Sequence, residues 1–233
     1  MSTPRVGDFT SDDPVRRADA CHRAGADPAG ALLAERLVDA LGDPARSVTR
    51  AAAQALLDLG RRGTGVEGLL QQALRGGVPQ RRWGAALTLS RLAPPEIGLL
   101  PALVDALRSP EGDVRWSAAR CLVALGRTQG EVFPVLLGLV RRDERATVRR
   151  MAVFALRELA PELPESARAL LEASRDANLG VRRAAVSALA GLRDPPLPVA
   201  TRLAELVEED PDPGLRSLAG RALEQLRSTS EAR

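Results

Sequence analysis

Six times along the 233-residue chain, at intervals of 33 or 34 residues, one pattern recurs: an apolar residue (replaced by Arg81 in the second repeat), then alanine four later, leucine eight later and leucine eleven later. Ala52, Ala85, Ala118, Ala152, Ala185 and Ala219 form the alanine column. Leu56, Leu89, Leu122, Leu156, Leu189 and Leu223 form the first leucine column, and Leu59, Leu92, Leu125, Leu159, Leu192 and Leu226 the second. At about 100° per residue these offsets fall on one face of a helix roughly 80° wide. A fixed period of this length belongs to arrays in which each unit packs only on its neighbours. The expectation is therefore one elongated all-α domain.

A second apolar helix, A, precedes each patterned helix, B. The A helices are expected at Pro28–Leu41, Thr64–Arg75, Glu96–Arg108, Glu131–Arg141, Pro164–Ser174 and Leu197–Glu208. The B helices are expected near 47–60, 80–92, 113–126, 146–159, 179–191 and 213–228. Gly42-Asp43-Pro44, Gly76-Gly77-Val78-Pro79, Ser109-Pro110-Glu111-Gly112, Asp176-Ala177-Asn178 and Asp210-Pro211-Asp212-Pro213 between them are stop and cap signals. The repeats then span 28–60, 64–92, 96–126, 131–159, 164–191 and 197–228.

Upstream, Asp13-Pro14-Val15-Arg16 resembles the opening of another B helix, with Val15 lying 33 residues before Val48. In that register Asp19 and Arg23 stand where alanine and leucine are required. Residues 1–27 are accordingly read as a tail and a degenerate, polar-faced capping helix, and 229–233 as a disordered C-terminal tail.

The array resembles the HEAT repeat, and more closely the short bacterial form named after phycobilisome lyase subunits. The residues that carry the resemblance are a turn aspartate (Asp43, Asp143, Asp176, Asp210) and the pair that opens helix B (Val114-Arg115, Val148-Arg149, Val181-Arg182, Leu215-Arg216), with the columns behind them. Pro101 and Pro134 stand in helix A where that family has its proline. The resemblance implies a right-handed α–α superhelix of six two-helix repeats, with the B helices lining the concave side.

Aligned in this way, the B helices assign a direction to their other positions. One flank carries Thr49, Arg82, Arg115, Arg149, Arg182 and Arg216. In HEAT-like arrays such arginines pair with the turn aspartates, and a planar guanidinium suits that two-pronged role. The face opposite the core carries Arg50, Trp83, Trp116, Arg150 and Arg183 in one column and Leu87, Arg120 and Phe154 in another. Exposed tryptophan with arginine is the composition of binding hot spots. The expected partner site is Trp83, Trp116, Arg50, Arg82, Leu87, Arg120, Arg150, Phe154 and Arg183. The alternative is that a tryptophan folds over onto the next repeat. Repeats 2 and 3 attract attention because Gly76 and Ser109 replace the turn aspartate there, and departures from a local rule gather at functional sites.

Charge is nearly balanced at +3 overall, and every basic residue is an arginine. Locally, six arginines oppose Glu67 alone between Leu59 and Pro95, and six acids oppose Arg202 alone between Asp194 and Pro213. Cys21 and Cys121 stand a hundred residues apart without a CxxC pair, so neither a disulfide framework nor a zinc site is indicated. The single histidine, His22, precedes Arg23, whereas HEAT-like deoxyhypusine hydroxylases hold iron through His-Glu dipeptides. Asp58 and Glu158 are the chief acids expected on the concave face, three repeats apart, which leaves no basis for a glycosylase. No catalytic residue, metal or cofactor is assigned. With no apolar run of signal-peptide or membrane-spanning kind, a cytoplasmic monomer is expected. The reading is a non-catalytic scaffold that binds an acidic or amphipathic protein segment. Nucleic-acid binding is the second reading, and a bilin-lyase-like subunit acting with a partner chain the third.

Overall fold

The computed structural model describes residues 4–159, 163–192 and 196–231, all of whose regular elements are helical. The chain divides into two units, residues 1–121 and 122–233.

The first unit holds α1 (Pro14–Ala26), α2 (Ala34–Ala40), α3 (Arg46–Arg61), α4 (Glu67–Ala73), α5 (Pro79–Leu92), α6 (Leu100–Ala106) and the first part of α7 (Gly112–Gly126). Short 3₁₀ turns at Val6–Thr10, Gly30–Leu33 and Ile97–Leu99 precede α1, α2 and α6. Helix α2 packs on α3, α4 on α5 and α5 on α6, while α3 lies against α5 and α2 against α4. Like therefore stacks on like, giving a layer of A helices and a layer of B helices. The second unit repeats the scheme with α8 (Val132–Arg142), α9 (Ala146–Leu159), α10 (Pro164–Ala173), α11 (Leu179–Leu189), α12 (Leu197–Glu209) and α13 (Pro213–Glu231). There α8, α10 and α12 stack as A helices and α9, α11 and α13 as B helices.

Each column of the sequence pattern has a definite place in this packing. All six alanines of the first column are fully buried, as are Leu56, Leu122, Leu156 and Leu189. A small residue at the centre lets neighbouring B helices approach, and each buried leucine contributes about 1.5–3 kcal/mol. Leu92 and Leu159, at the ends of their helices, lean onto Gly60 and Gly126 at the close of the preceding B helices; a Cβ on either glycine would lie 2.6 and 2.5 Å from a leucine methyl. Cap chemistry holds as well: the side chain of Asn178 accepts from the backbone N–H groups of Gly180 and Val181, and Pro79 and Pro164 open their helices. Helix α4 starts at Glu67, three residues later than expected, because Gly63 and Gly65 take left-handed φ angles of 74° and 73° and keep the chain in a turn.

Two expectations at the chain ends need correction. Helix α13 runs to Glu231, into the segment expected to be disordered, because nothing from Ser228 to Glu231 breaks a helix and the Ser228 hydroxyl donates to the Glu224 carbonyl. Only residues 232 and 233 of that expected tail lie wholly outside the described residues.

At the other end, α1 is a regular helix capped by Asp13 and buried on α3, but in a register one residue away from the expected one. Arg17, not Arg16, makes the recurring contacts described below. That shift puts Ala20 and Ala24 in the alanine and first leucine columns, and both are fully buried. Cys21 is buried with them, and desolvation pushes its thiol up to about 12. Asp19 and Arg23 point outward and pair with each other, and Arg23 also holds Asp8 at 3.0 Å, over a turn whose Phe9 is buried. The helix is thus not polar-faced toward its neighbour; its apparent degeneracy came from counting 33 residues where the chain uses 32.

Candidate functional site

The arginine flank forms a ladder. One guanidinium nitrogen of Arg17, Arg82, Arg115, Arg149, Arg182 and Arg216 donates to the carbonyl six residues earlier, at Ser11, Gly76, Ser109, Asp143, Asp176 and Asp210. In Arg17, Arg149 and Arg182 the remaining fork reaches the turn aspartate of the following repeat. Arg17 grips Asp43 at 2.7 and 3.0 Å, Arg149 grips Asp176 at 2.6 and 2.8 Å, and Arg182 grips Asp210 at 2.9 and 3.2 Å. Each of these aspartates also accepts from the backbone N–H two residues on, at Ala45, Asn178 and Asp212. Burial is the largest single influence on Asp176 and Asp210 and opposes their ionisation, but the arginine bonds, the backbone N–H bonds and the arginine charges together hold both carboxyls below the ordinary value.

The ladder changes at repeats 2 and 3. Ser109 replaces the turn aspartate, so Arg82 takes its acid one turn earlier, from Asp105 on α6 at 3.0 Å. The indole N–H of Trp83 donates to the same carboxylate oxygen at 2.8 Å. Burial raises the cost of charge on Asp105, and the bonds from Trp83 and Arg82 more than offset it. Trp83 is therefore not presented to solvent as expected: it is 8 % exposed and folded toward the next repeat. Its burial and the missing aspartate are one arrangement.

Trp83 nevertheless forms part of a wall. A cleft of about 520 Å³ runs along the B helices of the first unit, lined by α3, α5, α7 and the turns at 41–44 and 111. Leu41, Trp83, Leu87 and Val114 supply apolar surface, and Ala53, Gly84 and Ser117 supply the room. Gly84 lies directly over Leu41, whose Cβ would stand 3.0 Å from an added Cβ. At the rim, Arg46 and Arg50 of α3 reach across α5 to one oxygen of Asp113 in the first turn of α7; the Arg50 bond measures 2.9 Å. The two guanidinium groups hold the Asp113 carboxyl below its ordinary value, the Arg50 hydrogen bond being the larger influence. Cys121 lies deeper, its sulfur 3.0 Å from the Ser90 hydroxyl, with its thiol pushed up by burial.

Of the expected site residues, the cleft brings together Arg50, Trp83 and Leu87. Arg82 stands behind Trp83 and is spent on the ladder. Trp116, 45 % exposed, and Arg120, also exposed, lie one turn apart on α7 outside the cleft lining. Arg150, Phe154 and Arg183 belong to the second unit, where Arg157 lies over the Phe154 ring at 5.6 Å and Arg183 binds Asp212 at 2.8 Å. Sequence reasoning did not single out Arg46, Asp113, Gln80, Arg91 or Cys121. The available signal was the stripe Asp113, Ser117, Cys121 at four-residue spacing, unusually small and polar for a helix flank. Among the described residues no cluster of histidine, cysteine and carboxylates suits a metal ion, and no helix is long and apolar enough to cross a membrane.

Stacked helical hairpins with a regular arginine–aspartate ladder define a helical-repeat protein. The family model for HEAT repeats matches residues 66–157 and again 133–224, more than half of the chain, and the chain belongs to the HEAT-repeat family. Among solved structures, YIBA_ECOLI is 17 % identical, with 97 % of this chain and 83 % of that one covered at a TM-score of 0.58, a likeness of fold. An engineered protein is 20 % identical over 94 % of this chain and 66 % of its own, with a TM-score of 0.47. The complex of CpcE and CpcF of phycocyanin lyase from Nostoc sp. PCC7120 matches at 22 % identity, covering 82 % of this chain and 98 % of that one, with a TM-score of 0.46. A search of curated proteins gave no match.

Proposed function

We propose that this protein is a non-catalytic interaction module whose first unit binds a protein segment in the cleft along α3, α5 and α7. The observation that carries the reading is the cleft itself: an apolar floor of Leu41, Trp83, Leu87 and Val114 beside the arginines at positions 46, 50 and 91, in a volume that suits one or two side chains. Trp83 is a wall rather than a probe, since its indole is fixed by Asp105. A rigid aromatic wall costs little ordering on binding. Trp116 and Arg120 extend the contact surface on α7, and Arg150, Phe154 and Arg183 form a separate contact set in the second unit.

The partner segment is amphipathic and acidic, with apolar side chains for the floor and carboxylates for the rim. The test is affinity capture of partners with the unaltered protein, Leu87→Arg and Trp116→Ala, each checked for an unchanged Tm. Leu87→Arg fills the cleft, and we expect it to release the main partner; Trp116→Ala weakens retention less. A partner held equally by all three proteins does not use this cleft, and the reading then fails.

A further inference from the structure

We infer that Asp113 is an internal stand-in for the partner's carboxylate, so that Arg46 and Arg50 form a carboxylate receptor that the chain keeps occupied until an acidic side chain displaces it. The inference rests on the cleft being the binding site and specifies what enters it.

Three features of the rim support this. Two guanidinium groups one helical turn apart converge on a single oxygen of Asp113, two repeats further along the chain. Unlike the ladder pairs of Arg17, Arg149 and Arg182, whose side chains are 4–17 % exposed, these three are 45–69 % exposed. Exposed pairs contribute about 0.2–1 kcal/mol each, so the contact exchanges easily.

The second feature is an excess of cations. Arg91 lines the same cleft and makes no ion pair among the described residues. The other lining acids are already engaged, Asp43 by Arg17 and the Ala45 N–H, and Glu111 by the Ser109 hydroxyl. With Asp43 compensated by Arg17, the three lining arginines face the two carboxylates of Asp113 and Glu111, a surplus of one cation. The third feature is position. The link from α3 to Asp113 passes across α5, where Trp83, Gly84 and Leu87 form the floor. A ligand whose carboxylate replaces Asp113 sets its neighbouring side chain onto that floor. The occupant is therefore a segment with a glutamate or aspartate next to a bulky apolar residue, and α7 carries the gate.

The experiment uses the full chain with Trp116→Phe, which leaves Trp83 as the only tryptophan and makes its emission a reporter of the cleft. The probes are a short capped peptide of alternating leucine and glutamate and its counterpart of leucine and glutamine. They are titrated into this protein, into the same protein with Asp113→Asn, and into one with Arg46→Gln and Arg50→Gln. Asp113→Asn is expected to tighten the glutamate peptide about two- to fivefold, the release of one exposed pair, and to leave the glutamine peptide unchanged. The double arginine variant is expected to lose glutamate binding by about tenfold or more. Asp113→Ser, which keeps a small polar side chain in the first turn of α7, replaces Asp113→Asn if that variant melts early. Equal binding of the two peptides, or no tightening without the Asp113 carboxylate, overturns the receptor and gate while leaving the cleft as a site. No binding to any variant overturns the inference, and partner release by Leu87→Arg then judges the broader reading separately.

Discussion

Arg182 shows how much one side chain holds together. It bonds the Asp176 and Ala177 carbonyls of its own turn and both oxygens of Asp210 in the next, and the Asp210 side chain is only 4 % exposed. Arg182→Met keeps the aliphatic stem but leaves that carboxylate nearly buried without its ion pair, which costs about 2–4 kcal/mol. Thermal denaturation at neutral pH measures it. The sign of the pH dependence follows from the lowered carboxyls of Asp176 and Asp210. A depressed folded-state value stabilises the protein above the ordinary aspartate value of 3.8, and that contribution is lost as pH falls through the folded value. Tm should therefore drop between about pH 4 and pH 2 in the unaltered protein, and less steeply in Arg182→Met. A steeper acid loss in the variant would count against the ladder. This ladder was legible in the sequence because partner residues recur at the repeat period. The Arg46–Asp113 and Arg50–Asp113 links were not, since they occur once, and Trp83 was misplaced because its direction depends on Asp105, which no column contains.

Helices α1 and α8 show why a repeat pattern locates elements better than it judges their surfaces. In α1, a Cβ on Gly25 would stand 2.8 Å from the Ala55 Cα and 2.9 Å from its Cβ, so α1 lies directly on the backbone of α3. Backbone cannot step aside as a side chain can, and Gly25→Ala is expected to destabilise by about 1–3 kcal/mol. Gly138, inside α8, has nothing within 4 Å of such a Cβ. Alanine there removes the entropy penalty of a helical glycine, and Gly138→Ala is expected to stabilise by about 0.5–1 kcal/mol. Urea denaturation of the two variants should give opposite signs; the same sign in both would refute the packing described for α1. The sequence placed α1 at the right residues because Asp13-Pro14 is a strong start signal. It missed the buried face because one deleted residue rotates a helix by about 100°, which turns Ala20 and Ala24 inward and Asp19 outward.

For the molecule as a whole, the two charged stretches that stand out in the linear sequence largely vanish on folding. Arg61, Arg81 and Arg82 of the basic stretch pair with Asp58, Asp39 and Asp105, and Arg62 donates to the carbonyls of Gly25 and Asp27. In the acidic stretch, Arg182 takes Asp210, Arg183 takes Asp212, and Arg175 and Arg202 both approach Glu205; Asp194 lies outside the described residues. A count along the chain could not show this, because most partners come from other repeats. Phosphate binding needs cations free to release counterions, and each such contact makes affinity fall with salt. With a formal charge of +3 and most of the basic stretch engaged, that stretch offers no concentrated arginine surface to a nucleic-acid backbone. Single- and double-stranded oligonucleotides are therefore expected to show no retardation with this protein at about 0.15 M salt, where screening extends over about 8 Å. Within the basic stretch Arg75 and Arg91 make no ion pair among the described residues, and contacts from these two would give a shallow salt slope at lower ionic strength. A slope corresponding to about six or more phosphate contacts would instead draw on exposed arginines of other repeats, such as Arg16, Arg36, Arg127 and Arg142, and would return nucleic-acid binding to first place over the acidic-segment reading.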